Sequence, residues 1–459
     1  MSWMLRSRVL FGLGMLMLLI SSLLVFREMQ VMGIPDAGPP FDVKEWGTII
    51  VADSDNAVSD YRAAAPGLTD PPSSESEAYS AVEESGWGKS SPGLVTWLDM
   101  NRPALQRWKA GSAKPAMLAY QPKNVDPSQV VVEIRAFRTI ARICTMEAAR
   151  LESLGRVDEA FDIHRMLFRT SRHCGMYGGM TERLVGQSLS AIAARGLVRW
   201  STHPSLSAAQ IKAALAAILA DDSMTAPLSN SLKTEYLQIA KFFSGAQSAY
   251  WAQKSPFEKK ERTGWAGIQH FLRNEPLLSR LLCDQYFANI LESVDKPLSV
   301  RPPFQPGQPF FSDAAGRTLP PHRLSAERLN ALIPRSLHLE EIGIPLDSYI
   351  ATNDRERGKL AALFVVLAAQ AYRREVGSFP ETLSAIVELG ILDRMPIDPR
   401  SKTGDTMRFR RDMNAFVVWG VGENAVDDGG SVEYSEFGAP TDVGYIVPLH
   451  PSTDHSNPE

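Results

Sequence analysis

The sequence predicts a mainly α-helical protein with an N-terminal transmembrane helix, a multi-helix body and a small C-terminal α+β unit that contains a β-hairpin. Three observations support this prediction: one long apolar run near the N-terminus, apolar residues at helical spacing through the middle of the chain, and strand-like segments near its end. With 459 residues, 44% of them hydrophobic and 22% charged, the chain is long enough for two or three domains.

The charge balance argues against one class of partner. The formal net charge is −4, whereas a dedicated nucleic-acid-binding domain usually carries a strongly basic face. The local basic group formed by Arg408, Arg410 and Arg411 is interpreted as the solvated face of a strand. We therefore expect no nucleic-acid partner.

The apolar run from Val9 to Phe26 is uncharged and about 18 residues long, close to the minimum for a helix that crosses a hydrocarbon core. A cleaved signal peptide is the alternative. Its apolar region is usually about 7 to 15 residues long and ends in a small-x-small site, which the residues after Phe26 do not provide. Residues 9–26 are therefore predicted to be an uncleaved anchor, with the membrane as partner.

The flanking charges predict the orientation of this anchor. Arg6 and Arg8 precede the run, whereas Arg27 after it is followed by Glu28. Positive charge is usually retained in the cytoplasm. We therefore predict a single-pass protein of a bacterial inner membrane, with residues 1–8 in the cytoplasm and the body outside it.

Cysteine usage is sparse: Cys144, Cys174 and Cys283 leave at least one thiol unpaired, and no C-x-x-C motif is present. If Cys144 and Cys174 lie on antiparallel helices joined near Gly155, they are offset by ~12 Å along the helix axis, too far for a disulfide. We expect reduced, buried thiols.

Changes in composition divide the remaining chain. Pro and Gly mark a linker after the anchor, and a Pro-rich segment separates the helical body from the C-terminal unit. The predicted order after the anchor is a linker at 27–45, a helical body at 46–298, a connector at 299–350, an α+β unit at 351–449 and a disordered tail at 450–459. Within the body, helices are predicted at 54–65, 98–109, 131–154, 157–171, 181–200, 207–219, 228–243 and 275–294.

The helices at 131–154 and 157–171 are predicted to form a hairpin that turns at Gly155. The segment near 141–172 resembles one helical hairpin of a tetratricopeptide repeat, with Ala148 and Ala160 at the two small, close-packing positions. His164 stands where that family has a large apolar or aromatic residue. The resemblance covers one unit with no second copy about 34 residues away, so it does not imply a repeat array.

Motifs for catalysis are not evident, and the catalytic residues stay unknown. The 8 histidines do not cluster at metal-ligand spacing, and there is no G-x-S-x-G. His173, at the predicted end of a helix, is interpreted as a favourable charge near the helix carboxyl terminus.

The C-terminal unit is predicted to begin with a helix at 354–376. Its apolar stretch, Leu360 to Ala371, is about 12 residues long and is too short to span a membrane, so we interpret it as a buried core helix. A short helix at 381–389 follows. A β-hairpin then pairs 406–410 with 415–421.

This unit, at about 354–430, resembles the globular end of the major pseudopilins of type II secretion. The residues that carry the resemblance are Ala371-Tyr372, Gly377-Ser378-Phe379-Pro380, Leu383, Met395-Pro396-Ile397-Asp398-Pro399, Gly404, Phe409, Val417-Val418-Trp419-Gly420-Val421-Gly422-Glu423-Asn424 and Asp427-Asp428-Gly429-Gly430. A pseudopilin has its membrane helix directly before this unit, whereas here the anchor lies far upstream, so a pilin role is not implied. The whole chain is similar to families of uncharacterised bacterial membrane-anchored proteins, which adds no activity.

One loop of this unit is a candidate metal site. Glu423, Asn424, Asp427 and Asp428 lie close together in a Gly-rich loop after a strand. Such dense hard-oxygen ligands suit Ca²⁺, which takes about 6 to 8 of them, and the pseudopilin resemblance also implies calcium at this loop. The alternative is a solvated acidic turn, because four side chains alone underfill a calcium site.

Two functions are consistent with these patterns. The first is a non-catalytic scaffold or interaction protein, anchored at the membrane and presenting its helical body to a protein partner. The second is an extracytoplasmic hydrolase whose site is assembled only in the fold. The helical hairpin and the lack of a nucleophile motif favour the first.

Overall fold

A computed structural model describes residues 2–124, 127–243, 265–301, 323–336, 346–433 and 439–448. The predicted tail and most of the predicted Pro-rich connector lie outside these ranges. Fifteen α-helices and one small antiparallel sheet are present in the described residues. The predicted mainly helical fold with a small C-terminal α+β unit is confirmed.

The helices are numbered here in chain order. They are α1 Ser2–Met29, α2 Val43–Gly47, α3 Val58–Ala64, α4 Ser76–Ser85, α5 Pro92–Ser112, α6 Pro127–Ser153, α7 Val157–His173, α8 Met180–Ser201, α9 Ala208–Asp222, α10 Leu228–Phe243, α11 Trp265–Leu272, α12 Glu275–Ser293, α13 Ala326–Leu332, α14 Leu346–Val376 and α15 Ser384–Glu388.

Contacts divide the chain into two compact units, each assembled from segments that are distant in sequence. The smaller unit draws on residues 1–46, 235–294 and 302–347. The larger unit draws on residues 47–234, 295–301 and 348–459.

In the smaller unit, α1 is the one described helix long and apolar enough to cross a membrane, over Leu10–Met29. Its apolar side chains from Leu10 to Phe26 are largely exposed to solvent in the isolated chain. By contrast, the helix predicted at 275–294 is confirmed as α12, which is buried along one apolar stripe. That stripe comprises Leu278, Leu281, Leu282, Tyr286 and Ile290.

The core of the larger unit contains the antiparallel helices α6, α7 and α8. Gly155 links α6 to α7 with a φ of +70°, a left-handed conformation that glycine adopts without steric cost. Ala148 and Ala160 are both fully buried. The hairpin predicted around Gly155 is therefore confirmed, and α8 extends it to three helices.

The helix α14 is confirmed as a core helix rather than a second membrane span, because nearly every residue of Leu360–Ala371 is buried. It begins at Leu346, before the predicted start at 354. Tyr349 and Ile350 are buried in this additional part, so tertiary packing extends the helix beyond the local apolar pattern.

The sheet consists of β1 Arg408–Arg411, β2 Ala415–Val421 and β3 Asp442–Pro448, in the order β1-β2-β3 with antiparallel pairing. The predicted hairpin is confirmed. The strand β3 was not predicted; it pairs with β2 along its whole length, from Ala415 opposite Pro448 to Val421 opposite Asp442. With β1 on one side and β3 on the other, β2 is the central strand of the sheet, and its residues are almost all buried.

Some predicted boundaries were wrong. The helix predicted at 54–65 begins at Val58, because the side chain of Asn56 accepts the backbone N–H groups of Val58 and Leu118 and so belongs to a preceding bridge. The helix α5 begins at Pro92, earlier than predicted, and Ser91 caps it by accepting the N–H of Leu94.

Cys144, Cys174 and Cys283 are all buried and none of them is in a disulfide, in agreement with the predicted reduced, buried thiols.

Candidate binding groove

The larger unit contains a groove of about 740 Å³ that is lined by residues of α6 and α8. Residues of α7 and α4 also line it. The apolar lining comprises Ile134, Ala141, Leu167, Val185, Leu189 and Ile192. A groove of this size can accept several side chains of a partner.

Arginines dominate the charge of this groove. Arg138 and Arg142 lie one helical turn apart on α6, and Arg195 and Arg199 lie one turn apart on α8. Glu83 supplies the one carboxylate among the described lining residues. The groove therefore combines apolar lining residues with an excess of positive charge.

Two of these arginines already have carboxylate partners. Arg142 donates to Asp70 at 3.0 Å, and Arg199 donates to Glu152 at 3.1 Å. Arg138 and Arg195 are exposed, and neither pairs with a carboxylate within the described ranges. These two guanidinium groups are therefore accessible to an anionic partner.

A buried polar pair lies beneath the groove. His164 on α7 is hydrogen-bonded through Nε2 to Glu152 on α6 at 2.9 Å, and Arg199 on α8 donates to the other oxygen of Glu152. Burial raises the pKa of Glu152, but the hydrogen bonds and charges of His164 and Arg199 outweigh it and leave the pKa below its ordinary value. The three side chains thus join the three helices around one ionised carboxylate.

Gly196 makes room for this pair. A Cβ at Gly196 would lie 2.4 Å from Nδ1 of His164, far inside van der Waals contact. The imidazole therefore packs against the backbone of α8.

In many enzymes, a histidine that is oriented by a carboxylate acts as the general base for a nucleophile. Three of the described lining residues carry hydroxyls, namely Tyr79, Thr145 and Ser188, and those of Thr145 and Ser188 donate to carbonyl groups of their own helices at 3.0 Å. The imidazole of His164 is hydrogen-bonded to Glu152. Among the described lining residues, none has a hydroxyl that is hydrogen-bonded to His164.

The four predicted metal ligands lie in one loop, but their side chains bond to different residues. Glu423 pairs with Arg355. Asp427 accepts from the indole of Trp419 at 2.8 Å and lies 3.2 Å from Arg408. Asn424 donates to Asp428 at 2.7 Å, the one direct bond among the four predicted side chains that the structure records.

The carboxylate of Asp442 on β3 binds the backbone of this loop. It accepts the N–H groups of Asp428, Gly430 and Ser431 at distances of 2.8 to 3.2 Å. Burial raises the pKa of Asp442 although these hydrogen bonds oppose the shift. Across the described ranges, no three His, Cys, Asp or Glu side chains converge as they do in a metal centre. Calcium at this loop stays a prediction.

His173 differs from its predicted role. The side chain is buried, bonded to the hydroxyl of Tyr61 at 2.8 Å and to the backbone oxygen of Lys114 at 2.9 Å. Burial lowers the pKa of His173 to about 4. The imidazole is therefore neutral near pH 7, and the prediction of a favourable helix-end charge was wrong.

The groove was not predicted from the sequence, although a signal for it was present. Arginine pairs spaced four residues apart occur on α6 and α8, but only the packing of these helices brings them to one surface. No family model, curated protein or solved structure matches this chain, so its function is inferred from its own residues.

Proposed function

We propose that this protein is a membrane-anchored interaction protein whose helical body binds an acidic, amphipathic segment of a protein partner. The observation that carries the proposal is the groove lined by α6 and α8, which combines Arg138, Arg142, Arg195 and Arg199 with apolar side chains. An amphipathic helix binds such a groove through its apolar face. Acidic residues beside that face would pair with the guanidinium groups and set the orientation.

The membrane location rests on α1. Its apolar segment is long enough to span a bilayer, and the charges of Arg6 and Arg8 favour a cytoplasmic N-terminus. The proposal places the body outside the cytoplasm of a bacterial cell. A reporter enzyme fused after Glu459 should be active only in an extracytoplasmic compartment, and activity restricted to the cytoplasm would reverse the orientation.

The binding proposal is tested with a labelled synthetic peptide that places Leu and Glu at helical spacing, and with a control peptide that carries Gln in place of Glu. We expect the full chain to bind the Glu peptide more tightly in fluorescence anisotropy. Arg138→Glu combined with Arg195→Glu should weaken that binding by about tenfold or more, and added salt should reduce the difference.

Arg107→Glu is the matched control, because Arg107 is exposed on α5 and lies outside the groove lining. This variant should bind the Glu peptide as the unmodified chain does. Equal affinity for the two peptides, or an equal loss in the control, would contradict an electrostatic groove.

A hydrolase is the second candidate, favoured by the His164–Glu152 pair beneath the groove. A serine nucleophile activated by this histidine should react with a fluorophosphonate probe, and His164→Gln should abolish the labelling. No labelling of the unmodified chain would exclude this kind of serine hydrolase.

We also propose that the C-terminal unit has a fold like that of the globular end of the major pseudopilins. The long helix α14 followed by an antiparallel sheet supports it.

A further inference from the structure

A short helix of the smaller unit, α11, exposes an apolar face. Trp265, Ile268 and Phe271 follow one another at a spacing of three residues, and their exposed fractions are 70%, 49% and 48%. This spacing places the three side chains on one side of the helix. An aromatic and aliphatic face of this kind is costly to leave in water.

This face lies beside the end of the membrane helix. Arg27, the first charged residue after the apolar run of α1, donates to the side chain of Asn274 at 2.8 Å. The guanidinium of Arg27 also lies 4.7 Å from the ring centroid of Phe271. These contacts join the end of α1 to the end of α11.

The position of Arg27 indicates the depth at which α11 lies relative to a bilayer. When residues 9–26 fill the hydrocarbon core, Arg27 lies among the lipid headgroups, where a guanidinium remains hydrated. Phe271 and Asn274 contact Arg27 and must therefore lie at the same level. Tryptophan and phenylalanine are favoured at that boundary, because their rings bury apolar surface beside polar headgroups.

We propose that α11 is an interfacial membrane helix, with Trp265, Ile268 and Phe271 inserted at the boundary between headgroups and acyl chains. The occupant of the apolar face is the lipid surface into which α1 is anchored, because the two helices are in direct contact at the membrane level. The inference rests on the membrane anchor of the proposed function. It adds a second membrane contact, one that holds the smaller unit against the bilayer.

The test uses the full chain reconstituted into phosphatidylcholine–phosphatidylglycerol vesicles. Trp265→Cys and, separately, Ile268→Cys are labelled with an environment-sensitive fluorophore. The native cysteines are buried, so labelling of the folded chain is selective. The control is Met413→Cys, since Met413 is 93% exposed and belongs to the turn after β1 of the larger unit.

Flotation of the vesicles first establishes that the chain is anchored. We then expect both α11 probes to be quenched by lipids spin-labelled near the headgroup, and to be quenched by aqueous iodide about fivefold less than the control probe. Failure to float would overturn the anchor itself. An anchored chain whose α11 probes are quenched by iodide as strongly as the control would overturn only the interfacial helix. Protection from both quenchers would also overturn it, and would indicate a second copy of the chain on this face.

Discussion

Glu356 on α14 accepts a hydrogen bond from Arg172 on α7, and both side chains are buried in the larger unit. Burial alone raises the pKa of Glu356, but the charges of Arg172, Arg183 and Arg357 outweigh it and lower the pKa to about 2. Asp222 pairs with Arg357 at 2.8 Å and completes a network between α7, α9 and α14. The core of this unit therefore depends on ionised groups as well as on apolar packing.

Replacement of this carboxylate should be strongly destabilising. Glu356→Gln removes one of the two carboxylates that pair with the buried guanidinium of Arg172 and leaves only Asp222, at 3.4 Å, so we expect the free energy of unfolding to fall by about 3 kcal/mol. The measurement is urea unfolding of the detergent-solubilised chain. Glu159→Gln, which changes an exposed partner of Arg156, is the control and should change stability little.

The pH dependence of this effect has a defined sign. The carboxyl of Glu356 titrates at a lower pH in the folded chain than in the unfolded chain, so its pairing stabilises the fold fully above about pH 4.3. That contribution should diminish as the pH falls towards 2. The difference in stability between the unmodified chain and Glu356→Gln should therefore shrink over this range. A constant difference would contradict the lowered pKa.

His173 should produce a separate acid sensitivity. Its pKa of about 4 in the folded chain lies below the ordinary value of 6.5, so the unfolded chain takes up a proton first as the pH falls. The stability contributed by the neutral imidazole is complete above pH 6.5, and about 3 kcal/mol of it should be lost between pH 6.5 and 4.

Unfolding of a His173→Gln variant should show a weaker pH dependence in this window, because glutamine does not titrate. His203→Gln is the control, since His203 is bonded to Ser205 at the surface. An unchanged pH profile in the His173 variant would mean that this imidazole is not the sensitive group.

Gly196 should tolerate no side chain while His164 is present. Gly196→Ala places a methyl group against the imidazole, and we expect a loss of about 1 to 3 kcal/mol in the free energy of unfolding. In a His164→Ala background the same change should cost much less. Strict additivity of the two substitutions in a double-mutant cycle would argue against the contact.

Close packing of α6 and α7 predicts a similar intolerance at Ala160. Ala160→Leu should destabilise the chain by about 1 to 3 kcal/mol, because both Ala160 and Ala148 are fully buried. Ala209→Leu, at an exposed position of α9, should leave the melting temperature nearly unchanged. Equal melting temperatures for the two variants would place Ala160 outside the interface.

The calcium prediction is decided by thermal unfolding of the full chain at millimolar calcium. A site formed by Glu423, Asn424, Asp427 and Asp428 should raise the melting temperature by linkage to the folded state. Asp427→Ala combined with Asp428→Ala should abolish the rise. The absence of any rise in the unmodified chain would leave a metal-free loop held by Asp442 and by pairing with arginines.

The sequence by itself determined the features that depend on neighbouring residues. The apolar run of α1, the turn at Gly155 and the core stretch of α14 were all predicted, because hydrophobic length and helical period are local properties. The hairpin of β1 and β2 was predicted for the same reason. The boundaries that differed, such as the start of α14, lie where distant residues supply the packing.

Tertiary structure alone decided which charged and polar groups act together. Glu152, His164 and Arg199 belong to three helices and meet only because these helices pack side by side. The same is true of the arginines that form the groove, and of Glu356 with Arg172, which are 184 positions apart. Helical period shows which side chains share a face of one helix. It does not show which faces meet, and burial against a distant partner is what changes the charge and role of an ionisable side chain.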